Sequence, residues 1–136
     1  MVENRKLLNM AKEAAGKAYA PYSGFQVGAA LLADSGLVYT AGNMENSSYS
    51  LSLCAERAAL AKAVSEGERE FLKIAVYNSK QYPVVPCGAC LQSLAEFDPE
   101  LEIITENADG GISVKKLTKY LPHAFKLEGK KCEDRH

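Results

Sequence analysis

The sequence predicts an α/β protein in which helices cover both faces of a mixed sheet of about five strands, a three-layer α/β/α sandwich. Two observations lead to this fold class. A helical segment at the N-terminus is followed by a short hairpin pattern, which requires an antiparallel strand pair. The rest of the chain alternates helical and strand patterns, and such crossovers place helices on both faces of a sheet. Together they make the sheet mixed.

The first 41 residues are predicted to form one helix and the hairpin. Apolar residues, mostly alanine, recur at helical spacing over residues 3–18, which predicts an amphipathic helix. The sequence Ala-Pro-Tyr-Ser-Gly over 20–24 ends it. Strands are predicted over 25–33 and 37–40, because the Asp-Ser-Gly turn between them separates two apolar runs.

The remaining residues alternate helices and strands after a polar loop over 42–52. Predicted helices span 54–66, 86–97 and 115–121, and predicted strands span 72–77, 101–105 and 112–114. Gly67 ends the first of these helices, and Asp98-Pro99 ends the second. We expect a single domain over residues 1–125 and a loose polar tail over residues 126–136.

Composition narrows the classes of function. Of the 136 residues, 47% are hydrophobic and 24% charged, as in a soluble globular domain. The formal net charge is -1 and both signs are mixed along the chain, so we expect no nucleic-acid partner. No apolar run is long enough to span a bilayer, and we expect no membrane partner. No secretory signal is visible near Met1, so we expect a cytoplasmic protein.

Three cysteines stand where two predicted helices begin. Cys54 opens one helix, and Pro86-Cys87-Gly88-Ala89-Cys90 opens another. A Cys-x-x-Cys pair can share one ion, and the partial positive charge of a helix N-terminus favours thiolates. We therefore interpret Cys54, Cys87 and Cys90 as ligands of Zn²⁺. Three protein ligands leave a fourth position open for a reactive water, which is typical of catalytic zinc.

Two charged residues follow the first cysteine directly. Glu56 lies two residues after Cys54, where a carboxylate can accept a proton from water and pass it to a substrate. Three thiolates on one dication carry excess negative charge. We expect Arg57 to offset this charge by donating hydrogen bonds to the sulfurs.

Two other interpretations of the cysteines stay open from the residues alone. Cys132, His123 or His136 would close a four-ligand structural zinc site, although Cys132 lies in a charged segment without a metal motif. A thioredoxin-like redox pair at Cys87 and Cys90 would leave Cys54 unexplained.

The two cysteine segments resemble the signature of the cytidine deaminase family, in which a ligand-x-Glu segment precedes Pro-Cys-x-x-Cys. Residues 19–32 resemble the family's first strand, 42–46 its nucleoside-binding loop, and 121–125 its C-terminal end. The resemblance therefore covers nearly all residues up to Phe125. The first ligand here is a cysteine, and in this respect the chain resembles family members that act on free nucleosides. Members that act on nucleic acids usually have a His-x-Glu pattern at this place.

The resemblance implies hydrolytic deamination of cytidine and deoxycytidine to uridine and deoxyuridine in pyrimidine salvage. It implies Zn²⁺ on the three cysteines, with Glu56 as the proton shuttle. It also implies the small homotetrameric type with active sites shared between subunits.

The family's substrate contacts can be carried to matching positions here. The resemblance implies that Asn43 and Glu45 bind the sugar hydroxyls, Phe25 packs against the nucleoside, and the Ala55 backbone helps to recognise the base. Residues implied to line a neighbouring subunit's site are Ser47, Tyr49 and Phe125. Without the resemblance, core packing would be the favoured role of Phe25 and Phe125, and Tyr49 would be a surface tyrosine.

One position departs from the family pattern, and two other functions stay open. Leu91-Gln92 stands where the family usually has Arg-Gln, so a positive charge near the thiolates is missing. The alternatives are a deaminase of a modified cytosine nucleoside, of the blasticidin S type, and a catalytically inert zinc-binding module. Asn43 with Glu45 favours an ordinary ribose, and Glu56 favours an active enzyme.

Overall fold

A computed structural model describes residues 2–80 and 84–127, and these ranges contain four α-helices and five strands. The helices are α1 (Asn4–Ala15), α2 (Ala55–Ser65), α3 (Gly88–Ala95) and α4 (Leu117–Tyr120). The strands are β1 (Val27–Ala33), β2 (Val38–Gly42), β3 (Phe71–Asn78), β4 (Glu102–Glu106) and β5 (Ile112–Lys116). A short 3₁₀ turn at Tyr49–Leu51 interrupts the loop before α2.

The five strands form one mixed sheet in the order β2-β1-β3-β4-β5. β1 pairs antiparallel with both β2 and β3, β3 pairs parallel with β4, and β4 pairs antiparallel with β5. The parallel pair is joined by α3, as a crossover connection requires. Every residue of β1 is buried, since this strand is covered on both faces.

Two apolar layers enclose the sheet, because alternate residues of each strand point to opposite faces. On one face, Leu7 and Leu8 of α1 pack against Ala30 and Leu32. The other layer draws on the sheet and on three helices, with Ala29, Leu31, Ala59, Leu94 and Leu117 among its buried members. The predicted three-layer α/β/α sandwich with a mixed five-stranded sheet is confirmed.

Helix α1 approaches the sheet so closely that two glycines are needed beneath it. Gly28 and Gly42 face each other across β1 and β2. A Cβ atom built on Gly28 would lie 1.9 Å from the Ala11 carbonyl oxygen and 2.5 Å from the Ala15 nitrogen. One on Gly42 would lie 2.8 Å from the Ala14 carbonyl oxygen. Both contacts are with backbone, so only a shift of α1 relieves them.

The two cysteine-bearing helices begin slightly later than predicted. Cys54 and Cys87 are N-cap residues with extended backbones, at φ -69° and ψ 150° and at φ -66° and ψ 163°, respectively. Their carbonyls accept the first helical hydrogen bonds, from Ala58 and Leu91. Each helix therefore starts one residue after its cysteine.

The predicted division into a domain over 1–125 and a tail over 126–136 stays a prediction, and residues 128–136 lie outside the described ranges. Within those ranges, none of the helices combines the length and the apolar character needed to cross a membrane.

Substituting Gly28 tests the close approach of α1. We expect Gly28→Ala to lower the free energy of unfolding by about 2–3 kcal/mol, because the added methyl forces α1 away from the sheet. Urea unfolding of the zinc-loaded, reduced protein measures this change. Gly16→Ala is the matched control, since Gly16 has a helical backbone (φ -64°) and its Cβ would lie 3.3 Å from the Glu13 carbonyl oxygen. A Gly28→Ala protein as stable as Gly16→Ala would contradict the packing described.

Candidate functional site

A cavity of about 560 Å³ opens at the end of the sheet where β1 begins and β2 ends. Both Cys54 and Cys87 reach it from the starts of α2 and α3. The remaining lining residues come from the turn before β1, the loop after β2, the start of α2 and the segment before α3: Ser23, Phe25, Val27, Asn43, Met44, Glu45, Tyr49, Ser52, Leu53, Ala55, Glu56, Val84 and Val85.

Three sulfur atoms come together in the wall of this cavity. The Cys54 and Cys87 sulfurs are 3.9 Å apart, and those of Cys87 and Cys90 are 3.5 Å apart. All three lie within 4.8 Å of one another. These separations exceed a disulfide bond of about 2.05 Å, so the cysteines are free.

The sulfur triangle matches what a zinc ion requires. Zinc–sulfur bonds of about 2.3 Å at tetrahedral angles place ligand sulfurs about 3.8 Å apart. Within residues 2–80 and 84–127, the group able to hold a metal contains these three cysteines and no histidine. His123 is exposed and stands apart from them, while Cys132 and His136 lie outside the described residues.

Hydrogen bonds among the sulfurs, together with nearby charge, favour a thiolate at Cys54 and a thiol at Cys90 in the absence of a metal. A hydrogen bond from Cys90, with the Arg57 guanidinium adding to it, lowers the pKa of Cys54 to about 5. The same sulfur contact raises the pKa of Cys90. Arg57 Nη2 lies 3.5 Å from the Cys54 sulfur. The guanidinium therefore lies close enough to the Cys54 sulfur to offset negative charge there.

Glu56 is a buried carboxyl group beside the sulfurs. Its side chain is on the first turn of α2, lines the cavity and is 4% exposed. Burial, the largest effect on this group, raises the pKa of Glu56 to about 7. A carboxyl with this pKa can both accept and release a proton near neutral pH.

Asn43 and Glu45 also line the cavity, and they hold two neighbouring segments in place. Asn43 Oδ1 accepts a hydrogen bond from the Val27 nitrogen at 2.8 Å, and its Nδ2 donates to the Phe25 carbonyl at 3.0 Å. Glu45 accepts hydrogen bonds from the turn before β1. Both side chains therefore also fix the local backbone.

The other residues implied by the resemblance fall into two groups. Phe25 and Ala55 line the cavity, and Tyr49 lines it within its own chain. Ser47 and Phe125 are not part of the lining. The Ser47 hydroxyl is 2.6 Å from that of Tyr22, and the Phe125 ring is on the surface with 72% of the residue exposed.

Residues after Cys90 explain how the chain accommodates its departure from the family pattern. Leu91 is 4% exposed and belongs to the apolar layer on the α3 side of the sheet. Gln92 instead fixes the C-terminal segment, because its Nε2 donates to the Phe125 carbonyl at 2.8 Å and its Oε1 accepts from the Phe125 nitrogen at 3.1 Å. A leucine at position 91 therefore packs as core.

Several residues at the site were not predicted from the sequence. Ser23 bonds to Glu45, and Val84 and Val85 line the cavity beside Cys87. The polar turn over residues 20–24 is recognisable in the sequence, but its pattern predicts only the end of a helix. Its contact with Glu45 spans more than 20 residues of chain and depends on the fold.

Comparisons with known proteins agree with this geometry. Residues 1–105 match the family model of the cytidine and deoxycytidylate deaminase zinc-binding region. A cytidine deaminase of Sporosarcina psychrophila is 48% identical over 124 residues, 90% of this chain and 91% of the relative. One from Halalkalibacterium halodurans is 45% identical over 128 residues, 93% of this chain and 97% of the relative.

Solved structures of cytidine deaminases also superpose on this chain. The crystal structure of a cytidine deaminase from Burkholderia pseudomallei superposes with a TM-score of 0.86 at 45% identity, covering 91% of this chain and all of that one. The cytidine deaminase of Mycobacterium tuberculosis has a TM-score of 0.81 at 38% identity, with 93% of this chain and all of that one covered. The chain therefore belongs to the cytidine and deoxycytidylate deaminase family, whose zinc-binding region it contains.

Proposed function

We propose that this chain is a zinc-dependent enzyme that deaminates cytidine and deoxycytidine to uridine and deoxyuridine. The observation that carries this proposal is the buried Glu56 carboxyl in the same cavity as the sulfur triangle. A structural zinc site has no need for a protonatable group there. A hydrolytic site requires one.

Water adds to C4 of the cytosine ring, and the exocyclic amine leaves as ammonia. Cys54, Cys87 and Cys90 would hold the zinc ion, which would supply Lewis acidity that lowers the pKa of water toward neutral. Glu56 accepts a proton from the attacking water and delivers it to the ring nitrogen N3, then takes the proton of the new C4 hydroxyl and passes it to the leaving amine. A C–O bond forms at C4, the bond from C4 to the exocyclic nitrogen breaks, and the product has a carbonyl at C4 in place of the amine.

The cavity has an apolar part for the base and a polar end for the sugar. Phe25, Val84 and Val85 provide apolar surface beside the metal ligands, and an aromatic ring suits a planar base. Ala55 begins α2, so its backbone N–H is one of the free donors of that helix. Asn43 and Glu45 supply hydrogen-bonding groups for sugar hydroxyls.

We also propose a homotetramer in which Ser47, Tyr49 and Phe125 of one subunit complete the site of another. Large apolar side chains on the surface support it: Tyr22, Tyr49, Leu51, Val85 and Phe125 are each at least 57% exposed. Of these, Tyr49 and Val85 also line the cavity, so a neighbour that covers them also covers its mouth.

A role in pyrimidine salvage in the cytoplasm follows from the same proposal. Free nucleosides are the substrates, and the three thiols need a reducing compartment to stay unpaired. Cell fractionation that found the active enzyme only in an oxidising compartment would contradict this placement.

Replacing Glu56 tests the proposed chemistry directly. We expect Glu56→Gln to lower kcat on cytidine by about 10²–10⁴-fold, because the amide cannot carry the proton. Zinc content should stay at the wild-type value, since Glu56 is not one of the grouped sulfur ligands. Loss of ultraviolet absorbance on cytidine, deoxycytidine, cytosine and modified analogues measures turnover.

Glu66→Gln is the matched control, because Glu66 is exposed at the other end of α2. It should keep wild-type activity. Arg57→Gln belongs in the same series and should lower activity while keeping zinc. If the enzyme turned over only a modified analogue, the result would favour a deaminase of the blasticidin S type. A zinc-loaded wild type inactive on every substrate would establish the inert module.

Shared sites can be tested by mixing two inactive subunits. We expect Phe125→Ala alone to lose most activity, and its co-expression with Glu56→Gln to recover activity well above that of either variant. Subunits with an intact Glu56 then receive Phe125 from their Glu56→Gln neighbours. The purified co-expressed protein should have the mass of a tetramer by light scattering. A monomer, or no recovery, would contradict the shared site.

A further inference from the structure

Glu45 is a buried carboxylate without a cation partner in the described ranges. It is 7% exposed, and the ion pairs found there join other residues: Arg5 with Glu106, and Lys116 with Glu100. A buried carboxylate without such a partner must be stabilised by hydrogen bonds if it is to stay charged. The groups that donate to Glu45 therefore decide its state.

Those donors all come from the turn that precedes β1. The Tyr22 and Ser23 nitrogens donate to Glu45 Oε1 at 3.0 and 3.1 Å, and the Ser23 hydroxyl donates to Oε2. The hydrogen bond from the Ser23 side chain is the largest of the effects that place the pKa of Glu45 below its ordinary value. Glu45 is thus an anion, and an anionic carboxylate only accepts hydrogen bonds.

The Ser23 hydroxyl has a fixed direction within this network. The Phe25 nitrogen donates to Ser23 Oγ at 3.0 Å, and the single Ser23 proton goes to Glu45. Gly24 permits this geometry with its positive φ of 71°, a conformation that other residues rarely adopt. One hydroxyl therefore connects the backbone of Phe25 with the carboxylate of Glu45.

Contacts within the chain occupy most of the acceptor sites of Glu45. A carboxylate offers about two acceptor sites on each oxygen. The two backbone donors fill Oε1, and Ser23 fills one site on Oε2. We propose that Ser23 is a positioning residue that holds Glu45 so that a single acceptor site, on Oε2, receives one hydroxyl of the nucleoside sugar. This role rests on the proposed nucleoside deaminase function.

The test compares the binding of cytidine with that of 2′,3′-dideoxycytidine, which lacks the sugar hydroxyls that would donate a hydrogen bond to Glu45. The analogue is measured as a competitor of cytidine turnover, so its own deamination is not required. We expect Ser23→Ala to raise KM for cytidine about tenfold with little change in kcat, because one charge-assisted contact is misplaced. In Ser23→Ala, the inhibition constant of the analogue should stay within about twofold of the wild-type value. Ser23→Thr keeps a hydroxyl, so its KM for cytidine should return close to that of the wild type.

Ser35→Ala is a closely matched control. Ser35 Oγ donates to Glu68 at 2.6 Å and accepts from the Leu37 nitrogen at 3.3 Å, the same pair of contacts away from the cavity. This variant should leave both constants unchanged. If Ser23→Ala weakens cytidine and the analogue equally, or weakens neither, the positioning role is overturned.

A double-mutant cycle separates action through Glu45 from an independent effect. In a Glu45→Ala background, Ser23→Ala should change KM for cytidine by less than about twofold. A full tenfold effect in that background would overturn the proposal. Absence of cytidine turnover in both the wild type and Ser35→Ala would instead overturn the deaminase function itself, so the two failures are distinguishable.

Discussion

Three sulfur atoms that would repel one another as thiolates are held together at the N-termini of two helices, and the rest of the site depends on this convergence. The N-cap positions of Cys54 and Cys87 fix two sulfurs, and Cys90 follows within the first turn of α3. The same helix start that places Cys54 places Ala55 and Glu56 in the cavity. The sheet in turn fixes both helices through the apolar layer that they share with β1, β3 and β4.

Charge is distributed unequally among the residues that line the cavity and those that contact its metal ligands. Beside the sulfurs, Arg57 donates to Cys54, and Leu91 contributes apolar packing without adding a second positive charge. In the loop after β2, Glu45 keeps its charge through donors from a single turn. Glu56 lies in a buried environment that raises its pKa to about 7. The site thus combines the Glu45 carboxylate, which only accepts hydrogen bonds, with the Glu56 carboxyl, which can exchange protons.

Sequence reasoning predicted the features that local patterns determine. The helices and strands were predicted close to their observed bounds, because apolar periodicity, Gly67 and Asp98-Pro99 act locally. The sulfur cluster was predictable because zinc prefers thiolate ligands, and a helix N-terminus favours the thiolate form of cysteine. The hydrogen bonds of Asn43 and Glu45 to the turn before β1 were not, since they join segments about 20 residues apart. The hydrogen bonds between Gln92 and the Phe125 backbone were not predictable either, since they join residues 33 positions apart.

X-ray absorption at the zinc edge measures the open coordination position on which the proposed reaction depends. The site described here predicts three sulfur ligands at about 2.3 Å and one oxygen from solvent at about 2.0 Å. Removal of Cys132 should leave that spectrum unchanged. Four sulfur ligands, or the multiple-scattering signature of a histidine ring, would show a closed structural site and contradict the catalytic assignment.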